Sequence, residues 1–214
     1  MVTSLARGPR PRVAPTRRTT NGQARGDETR QRILDETVRC VREEGFAAAS
    51  ANHIAERAGV TWGVIQYHFG DRDGLLMAVI EAGYDLLRGN IKCVTIPSAG
   101  TPGQRVSALV DAASDAFADP RSLAAFEILI GTRANRNPAV NARLAELGQE
   151  LAQLGQEVSG DAGAPTSDIG GLLWTGLRGL ALTEMVVDAP VDSTADRAAL
   201  VDALTAYLER SQRG

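Results

Sequence analysis

The chain has 214 residues, a formal net charge of −3, 43% apolar residues and 23% charged residues, which is ordinary for a soluble globular protein of one or two domains. The charge is unevenly distributed, because residues 1–26 hold six arginines and no acid, whereas residues 27–89 hold seven basic and eleven acidic side chains. Bulk charge therefore gives no reason to expect nucleic-acid binding by the folded body, and such a function would need a local arrangement of residues.

The first 26 residues combine three prolines with the six arginines and contain few apolar side chains. Such a segment cannot bury enough surface to offset the entropy of ordering it, so a disordered tail is predicted over residues 1–26. No apolar run follows the basic residues, which argues against a signal peptide. Cys40 and Cys93 have no ligand-like spacing, and a reduced, cytoplasmic protein is expected.

Helical periodicity dominates the rest of the chain and predicts an all-α protein of about nine helices. The first helix is expected to begin with Asp27 as its N-cap and to end at Gly45, where glycine favours the cap conformation. Two short helices follow, from Ser50 to Ala58 and over 62–69. The glycine-containing turn between them makes a helix-turn-helix pattern.

Turn residues such as the Asp-Pro, Asn-Pro and Ala-Pro pairs separate the later helices. A long helix with Asp73 as its cap is expected to lead into the second half of the chain and to end near Arg88. The other predicted helices are 103–118, 120–135, 138–158, 166–188 and 193–211. We therefore expect a helix-turn-helix DNA-binding domain over 27–73 and a helical ligand-binding and dimerisation domain over 74–214.

The second short helix would present an uncharged outer face. At about 100° per residue, Ile65 and Phe69 form one stripe that packs into the core, and Tyr67 points almost directly away from it. Glutamine can bond adenine through two hydrogen bonds, an apolar group can meet a thymine methyl, and phenol or imidazole can donate to phosphate. The residues predicted to face DNA are Ser50, Asn52, Thr61, Trp62, Gly63, Val64, Gln66, Tyr67, His68 and Arg72.

Packing within the domain is the alternative to DNA contact for the aromatic residues Trp62 and Tyr67.

The two histidines, His53 and His68, could indicate a metal site, but no third ligand lies at a useful spacing in the sequence. No metal or cofactor is therefore expected.

Residues 27–88 resemble the DNA-binding domain of tetracycline-repressor-type (TetR family) regulators. The resemblance rests on 45-GFAAASANHIAERAGVTWGVIQYHFGDRDGLL-76, in which the Gly-aromatic pair, Ala58-Gly59-Val60, Gly63 and His68-Phe69 fall where the family has like residues. It implies a homodimer that binds a near-palindromic operator in double-stranded DNA and releases it on binding a small molecule.

Two positions depart from the family pattern. Most members carry a tyrosine where this chain has Gln66 and a lysine where it has Trp62. Loss of a basic residue at 62 is expected to lower the salt slope of DNA binding by about one unit. The Arg-rich tail is a candidate to compensate by contacting phosphates or the minor groove.

Small residues recur every four positions in helix 166–188 and would let another helix approach closely: Gly171, Thr175, Gly179 and Thr183. We expect this face to form a four-helix interface between two subunits together with Leu200, Leu204, Tyr207 and Leu208 of the last helix. A buried core helix in a monomer is the alternative.

A ligand pocket is expected among the large apolar residues of the second half, with two of the rare charges in its helices. The candidates are Phe117, Phe126, Glu127, Leu129, Trp174, Arg178 and Met185. Their composition favours a largely apolar effector and does not identify it. Helix 103–118 or its neighbours would transmit binding to the helix that joins the two domains.

The predicted function is a ligand-responsive, DNA-binding transcriptional regulator that represses as a homodimer. A transcriptional activator of the same fold and a small-molecule-binding protein without specific DNA binding are the alternatives, because repression or activation depends on where the operator lies. No Ser-His-Asp set, phosphate-binding loop or dinucleotide motif occurs in the sequence, so an enzyme is not expected. No membrane partner is expected either.

Overall fold

The computed structural model describes residues 18–93, 100–136, 138–161, 168–187 and 191–211. Within these ranges the chain forms nine α-helices and one short 3₁₀ helix, with no strand, which confirms the all-α prediction. The helices are α1 Arg18–Glu44, the 3₁₀ helix Phe46–Ala48, α2 Ala51–Arg57, α3 Trp62–Phe69, α4 Arg72–Cys93, α5 Pro102–Ala118, α6 Pro120–Thr132, α7 Pro138–Asp161, α8 Asp168–Val186 and α9 Thr194–Ser211. No helix in the described ranges combines the length and apolar character that crossing a membrane requires.

The start of α1 differs from the prediction. The helix begins at Arg18, so Asp27 lies inside it and is not its N-cap. Residues 18–26 are therefore helical, contrary to the expected disorder, and the rest of the expected tail, 1–17, lies outside the described residues. Once the packed part of α1 has formed its first turn, each further residue adds a hydrogen bond at little extra cost, which explains the extension.

The first residue of α4 also differs slightly from the prediction. The carboxylate of Asp71 accepts a hydrogen bond from the backbone N–H of Gly74 at 2.7 Å, so Asp71, and not Asp73, satisfies the first turn. The helix continues to Cys93, beyond the expected end at Arg88. It therefore reaches from the helix-turn-helix far into the second half of the protein.

Two hydrophobic clusters hold the described helices together. The first joins α1, α2, α3 and the start of α4 and includes Ile33, Ile54 and Ile65. The second joins the end of α4 with α5, α8 and α9 and includes Val110 and Leu177. The first cluster also contains residues of α6 and α7, so the buried core crosses the expected domain boundary at residues 73 and 74.

Helix α6 contributes to both clusters. Its Ala124 and Ile128 are buried in the first, whereas Leu123 is buried in the second. The helix lies very close to α4, because a Cβ built on Gly83 would lie 3.1 Å from Ala125 Cβ and 3.2 Å from the carbonyl oxygen of Arg121. Only glycine permits this approach without a shift of one helix. The fold thus places α6 between the two halves of the chain.

Candidate nucleic-acid interface and ligand cavity

The helix-turn-helix is built from local signals. Ser50 caps α2, and its hydroxyl oxygen accepts a hydrogen bond from the His53 backbone N–H at 3.3 Å. Gly59, with φ of 62°, turns the chain between α2 and α3, and Gly70, with φ of 81°, ends α3. Because a side chain at positive φ is strained, these two glycines determine where the short helices stop.

The inward and outward faces of α3 agree with the predicted stripe. Ile65 is fully buried in the first cluster, and the ring of Phe69 packs against that cluster. The Tyr67 side chain is 85% exposed, beside the exposed Gln66 and Gly63. This outer face carries a phenol, an amide and a bare backbone, with no charged side chain.

The ten residues predicted to face DNA divide into two groups by exposure. The exposed ones are Ser50, Asn52, Thr61, Gly63, Gln66 and Tyr67. The other four are Trp62, Val64, His68 and Arg72, which are half-buried. The rings and methyl groups of Trp62 and Val64 pack against the first cluster, so part of each side chain stabilises the domain itself.

Arg72 is engaged inside the protein, and it is the first residue of α4 instead of a loop residue. Its Nε donates to the carbonyl oxygen of Ala49 at 3.0 Å, and its guanidinium lies 5.1 Å from the centroid of the Phe46 ring. The expectation that Arg72 reaches freely to a phosphate is therefore corrected. Its main contacts hold the 3₁₀ helix and the start of α2 against α4.

The N-terminal half of α1 lies against α3, a contact that the sequence analysis missed because it expected disorder there. The guanidinium of Arg30 lies 5.0 Å from the Phe69 ring centroid. A Cβ built on Gly26 would lie 3.9 Å from His68 Cε1. The ring of His68 is in edge contact with Tyr67, with centroids 5.0 Å apart. Arg25, the residue before Gly26, is exposed in the same part of α1.

A network of charged side chains joins α1 to α2. His53 Nε2 lies 2.8 Å from a carboxylate oxygen of Glu44, and Arg57 pairs with Glu43 at 2.7 Å and with Glu44. The hydrogen bond from His53, followed by that from Arg57, lowers the pKa of Glu44 below its usual value. These pairs fix the angle of α2 relative to α1.

The same network contains a possible ligand set that the sequence spacing did not reveal. Ligand atoms of Cys40, Glu44 and His53 lie within 4.8 Å of one another. Burial, followed by the charge of Glu44, raises the pKa of the Cys40 thiol, which disfavours the thiolate that metal ligation needs. Arg57 already supplies the positive charge to the neighbouring carboxylates, so the cluster is satisfied as an ion-pair network.

A cavity of about 370 Å³ lies between α4, α5, α6, α7 and α8. It is lined by five of the seven predicted pocket residues: Phe117, Phe126, Leu129, Trp174 and Arg178. The prediction missed the contribution of α4, whose Tyr84 and Leu87 also line the cavity. The other lining residues are Gly83, Ser122, Ala125, Gly148 and Gly171.

Two predicted pocket residues lie elsewhere. Glu127 points to the 3₁₀ helix, where its Oε1 accepts a hydrogen bond from the Phe46 backbone N–H at 2.6 Å. Met185 packs against the second hydrophobic cluster and does not line the cavity. Both errors have one cause, since neighbouring residues on a helix face different directions and only the packing decides which direction is the cavity.

The cavity has an aromatic wall and few polar groups. The rings of Phe117 and Phe126 stack at 5.4 Å, and Trp174 meets Phe117 edge-on at 5.9 Å. Burial raises the pKa of the Tyr84 phenol, and the nearby charge of Arg178 acts in the opposite direction. Arg178 is the one charged residue among the described residues of the lining.

The predicted dimer face is exposed on α8. Its four small residues, Gly171, Thr175, Gly179 and Thr183, are all exposed in the single chain. The two threonine hydroxyls donate to the carbonyls of Gly171 and Gly179 on their own helix, so they leave no unpaired donor on this face. Val186, which is 82% exposed, extends the face with a large apolar side chain.

The predicted contribution of α9 to this face is corrected. Leu204 and Leu208 are only 3% and 1% exposed, because they pack into the second cluster within the same chain. Leu200 also packs against that cluster, next to Gly176 of α8, and Tyr207 is half-buried there. The exposed side of α9 instead carries Ala199, Ala203 and Ala206.

Residues 33–79 match the family model for bacterial regulatory proteins of the tetR family. The likeness to this family is thus shown over a segment that includes the helix-turn-helix. It is 30% identical over 124 residues to the HTH-type transcriptional regulator BetI of Rhizobium meliloti (strain 1021), which covers 57% of this chain and 60% of that protein. The chain spans only part of these curated relatives, between 27% and 60% of the length of the BetI proteins compared.

Solved structures share the fold of this chain. A member of the TetR family (SCO1917) from Streptomyces coelicolor A3 has a TM-score of 0.64 at 23% identity, over 85% of this chain and 98% of that chain. The multidrug binding protein EbrR, complexed with imidazole, has a TM-score of 0.59 at 22% identity, over 85% and 90%. At these identities the likeness establishes the fold alone.

The relatives matched in sequence are transcriptional regulators and not enzymes, as expected from the sequence.

Proposed function

We propose that the protein is a cytoplasmic transcriptional repressor that binds a near-palindromic operator as a homodimer and leaves it when a small molecule enters the cavity. One observation carries the proposal. Helix α6 lines the cavity with Ser122, Phe126 and Leu129, and the same helix holds the 3₁₀ helix of the DNA-binding half through Glu127. A ligand that displaces α6 would therefore act on both halves.

The outer face of α3 is the surface that would read the operator. Gln66 supplies an amide for an adenine edge, Tyr67 a hydroxyl and a ring, and Gly63 a point of close backbone approach. Ser50 and Asn52 at the start of α2 would meet phosphates together with the backbone N–H groups of that helix. Because α3 carries no charge, the positive charge of the interface would come from α1, in which Arg25 is exposed.

The homodimer proposal is supported by the exposed face of α8. Four small residues recur there at helical spacing, beside the exposed Leu172, Leu182 and Val186. Alanines on the exposed side of α9 would let the same two helices of a second subunit approach closely. A four-helix interface of this kind would place two copies of α3 at a fixed separation, as a two-half operator requires.

Release from DNA would follow from a population shift. If the ligand binds better to a form in which the two α3 helices are wrongly spaced, it moves the equilibrium away from the operator-bound form. The contacts favour α6 as the helix that connects the cavity to the DNA-binding half. Gly131, near the end of α6, lies so close to the Phe46 ring that a Cβ built on Gly131 would lie 2.3 Å from Phe46 Cδ1. The sequence alone favours helix 103–118, which is α5, or its neighbours.

The first test is fluorescence anisotropy with labelled duplexes tiled across the DNA that flanks the protein's own gene, at two salt concentrations. We expect tight, salt-sensitive binding to one near-palindromic fragment and loss of that binding in Tyr67→Ala. Weak binding that is the same for every fragment and for the variant would favour a small-molecule-binding protein without specific DNA recognition. Transcription in vitro from the bound promoter then distinguishes a repressor from an activator.

A further inference from the structure

We propose that the cavity is built for a flat, apolar molecule that carries an anionic head group such as a carboxylate. The apolar part would lie against the aromatic wall, and the head group would bind Arg178 with the buried donors of Trp174 and Ser122. This inference rests on the proposed function, because it specifies the chemical class of the effector of the same cavity.

The shape of the apolar part follows from the aromatic wall. The planes of Phe117 and Phe126 are inclined by only 18°, and the Trp174 ring stands edge-on to Phe117 with an angle of 65° between the planes. Leu87 and Leu129 complete the apolar lining. Aromatic rings prefer offset-stacked or edge-on neighbours, so a planar ring system is the occupant that this wall favours. The volume of about 370 Å³ suits a molecule of one or two rings.

Two residues that line the cavity each have a buried polar side-chain atom. Trp174 Nε1 and Ser122 Oγ are both buried and have no partner among the described residues, and the Ser122 residue is only 5% exposed. Buried polar groups are nearly always hydrogen-bonded, and a buried donor or acceptor left unpaired destabilises the protein. An indole nitrogen can only donate, so the missing partner of Trp174 must be an acceptor atom.

The charge of the head group follows from Arg178. Among the residues whose side chains the structure describes, no acidic residue lines the cavity and no ion pair to Arg178 occurs. Its side chain is exposed, and its Nε donates to the backbone carbonyl oxygen of Trp174, one turn earlier on α8, at 3.1 Å. Its charge also reaches the Tyr84 phenol, whose pKa it lowers against the effect of burial. A cationic ligand would meet only repulsion here, whereas an anion would pair with the guanidinium.

The test uses three compounds with one ring system and different charges: naphthalene-1-acetate, the neutral 1-naphthaleneacetamide and the cationic 2-(1-naphthyl)ethylamine. Their binding to the full-length protein is measured by isothermal titration calorimetry. We expect the acetate to bind at least about tenfold more tightly than the amide, as a charge-assisted hydrogen bond implies, and the amine to bind most weakly. Equal affinities, or a preference for the amine, would overturn the inference.

Variants assign the preference to the residues. Arg178→Gln should reduce the advantage of the acetate over the amide to about twofold or less while leaving amide binding nearly unchanged. Trp174→Phe keeps a ring and removes the donor, so it should weaken both compounds. Arg121→Gln is the matched control, because Arg121 is exposed on α6 and does not line the cavity. An Arg178→Gln protein that retains the full preference would contradict the proposed role of Arg178.

Operator binding is measured on the same protein preparation, so the two proposals can fail separately. Specific operator binding combined with no preference for the acetate, or with no binding of any of the three compounds, would overturn the ligand class and leave the DNA-binding role intact. A clear preference for the acetate without any specific DNA binding would support the ligand class and contradict the repressor.

Discussion

The carboxylate of Glu127 accepts a hydrogen bond from the backbone N–H of Phe46 at 2.6 Å, between residues that are 81 positions apart in the sequence. The Phe46 ring in turn lies under the guanidinium of Arg72, which bonds the carbonyl of Ala49 just before α2. A chain of direct contacts therefore runs from α6, beside the cavity, to the first helix of the helix-turn-helix.

Removal of the Glu127 carboxylate should weaken this connection. Glu127→Ala leaves the half-buried Phe46 N–H without its acceptor, which we expect to cost about 1–3 kcal/mol in the free energy of unfolding. Glu127→Gln is the control, since the amide oxygen can still accept the bond and should lose less. Urea denaturation of the three proteins measures the difference, and equal stabilities would show that this hydrogen bond contributes nothing.

Tyr67→Ala separates DNA binding from folding. Because Tyr67 is almost fully exposed, its removal should change the free energy of unfolding by less than about 0.5 kcal/mol. Operator affinity should fall by roughly tenfold or more if the side chain contacts bases or phosphates. Ile65→Ala on the inner face of the same helix should instead destabilise the fold by about 2–5 kcal/mol. Undiminished operator affinity of Tyr67→Ala in anisotropy titrations would exclude this face of α3 as the DNA surface.

The close approach of α4 and α6 at Gly83 can be tested with a matched pair of substitutions. Gly83→Val would place methyl groups against Ala125 and the Arg121 carbonyl, whereas Gly89→Val lies on the same helix with nothing within 4 Å of its Cβ. Both change helix propensity equally, so the difference in stability isolates packing. We expect Gly83→Val to be less stable than Gly89→Val by about 1–3 kcal/mol in chemical denaturation. Equal stabilities would mean that the two helices separate at no cost.

The α8 face should determine the oligomeric state. Thr175→Arg places a long charged side chain in the middle of the exposed small-residue face and should convert the proposed dimer into a monomer. Gln149→Arg, on the exposed surface of α7, is the control and should leave the mass unchanged. Size-exclusion chromatography with light scattering measures the mass. A wild-type monomer, or a Thr175→Arg dimer, would contradict this interface.

The ion-pair network between α1 and α2 predicts a pH dependence of stability. The pKa of Glu44 is lowered in the folded protein from its usual value of 4.5, so the folded state favours the charged carboxylate. Its stabilisation is therefore present above about pH 4.5 and is lost as the pH falls through the lower pKa of the folded state. His53 and Arg57 supply the favourable charges, and Arg57 is shared with the carboxylates of Glu36 and Glu43.

Thermal melts of wild type and Glu44→Gln between pH 3 and 7 test this sign. The wild type should melt higher near neutral pH, and the two curves should converge at the acid end. Glu28→Gln, on the exposed surface of α1 and outside the network, is the control and should follow the wild type throughout. A difference that grows as the pH falls would have the wrong sign for this network.

The ends of the helices around the helix-turn-helix could be predicted because their causes are local. Gly45, Gly59 and Gly70 all adopt positive φ at the positions where the periodicity breaks. The alternation of Ile65 and Tyr67 between the core and solvent follows from the geometry of a single helix. These features need no information about distant residues.

Tertiary structure decided what a residue on a long helix faces. The apolar pattern of α9 predicted a buried face, and the structure shows that Leu204 and Leu208 bury it within their own chain, with alanines left outside. Glu127 is one position from Phe126 in sequence, yet only Phe126 lines the cavity. A sequence determines that a helix has an apolar side through short-range spacing, whereas the choice among several helices that could cover that side depends on packing between residues far apart in the chain.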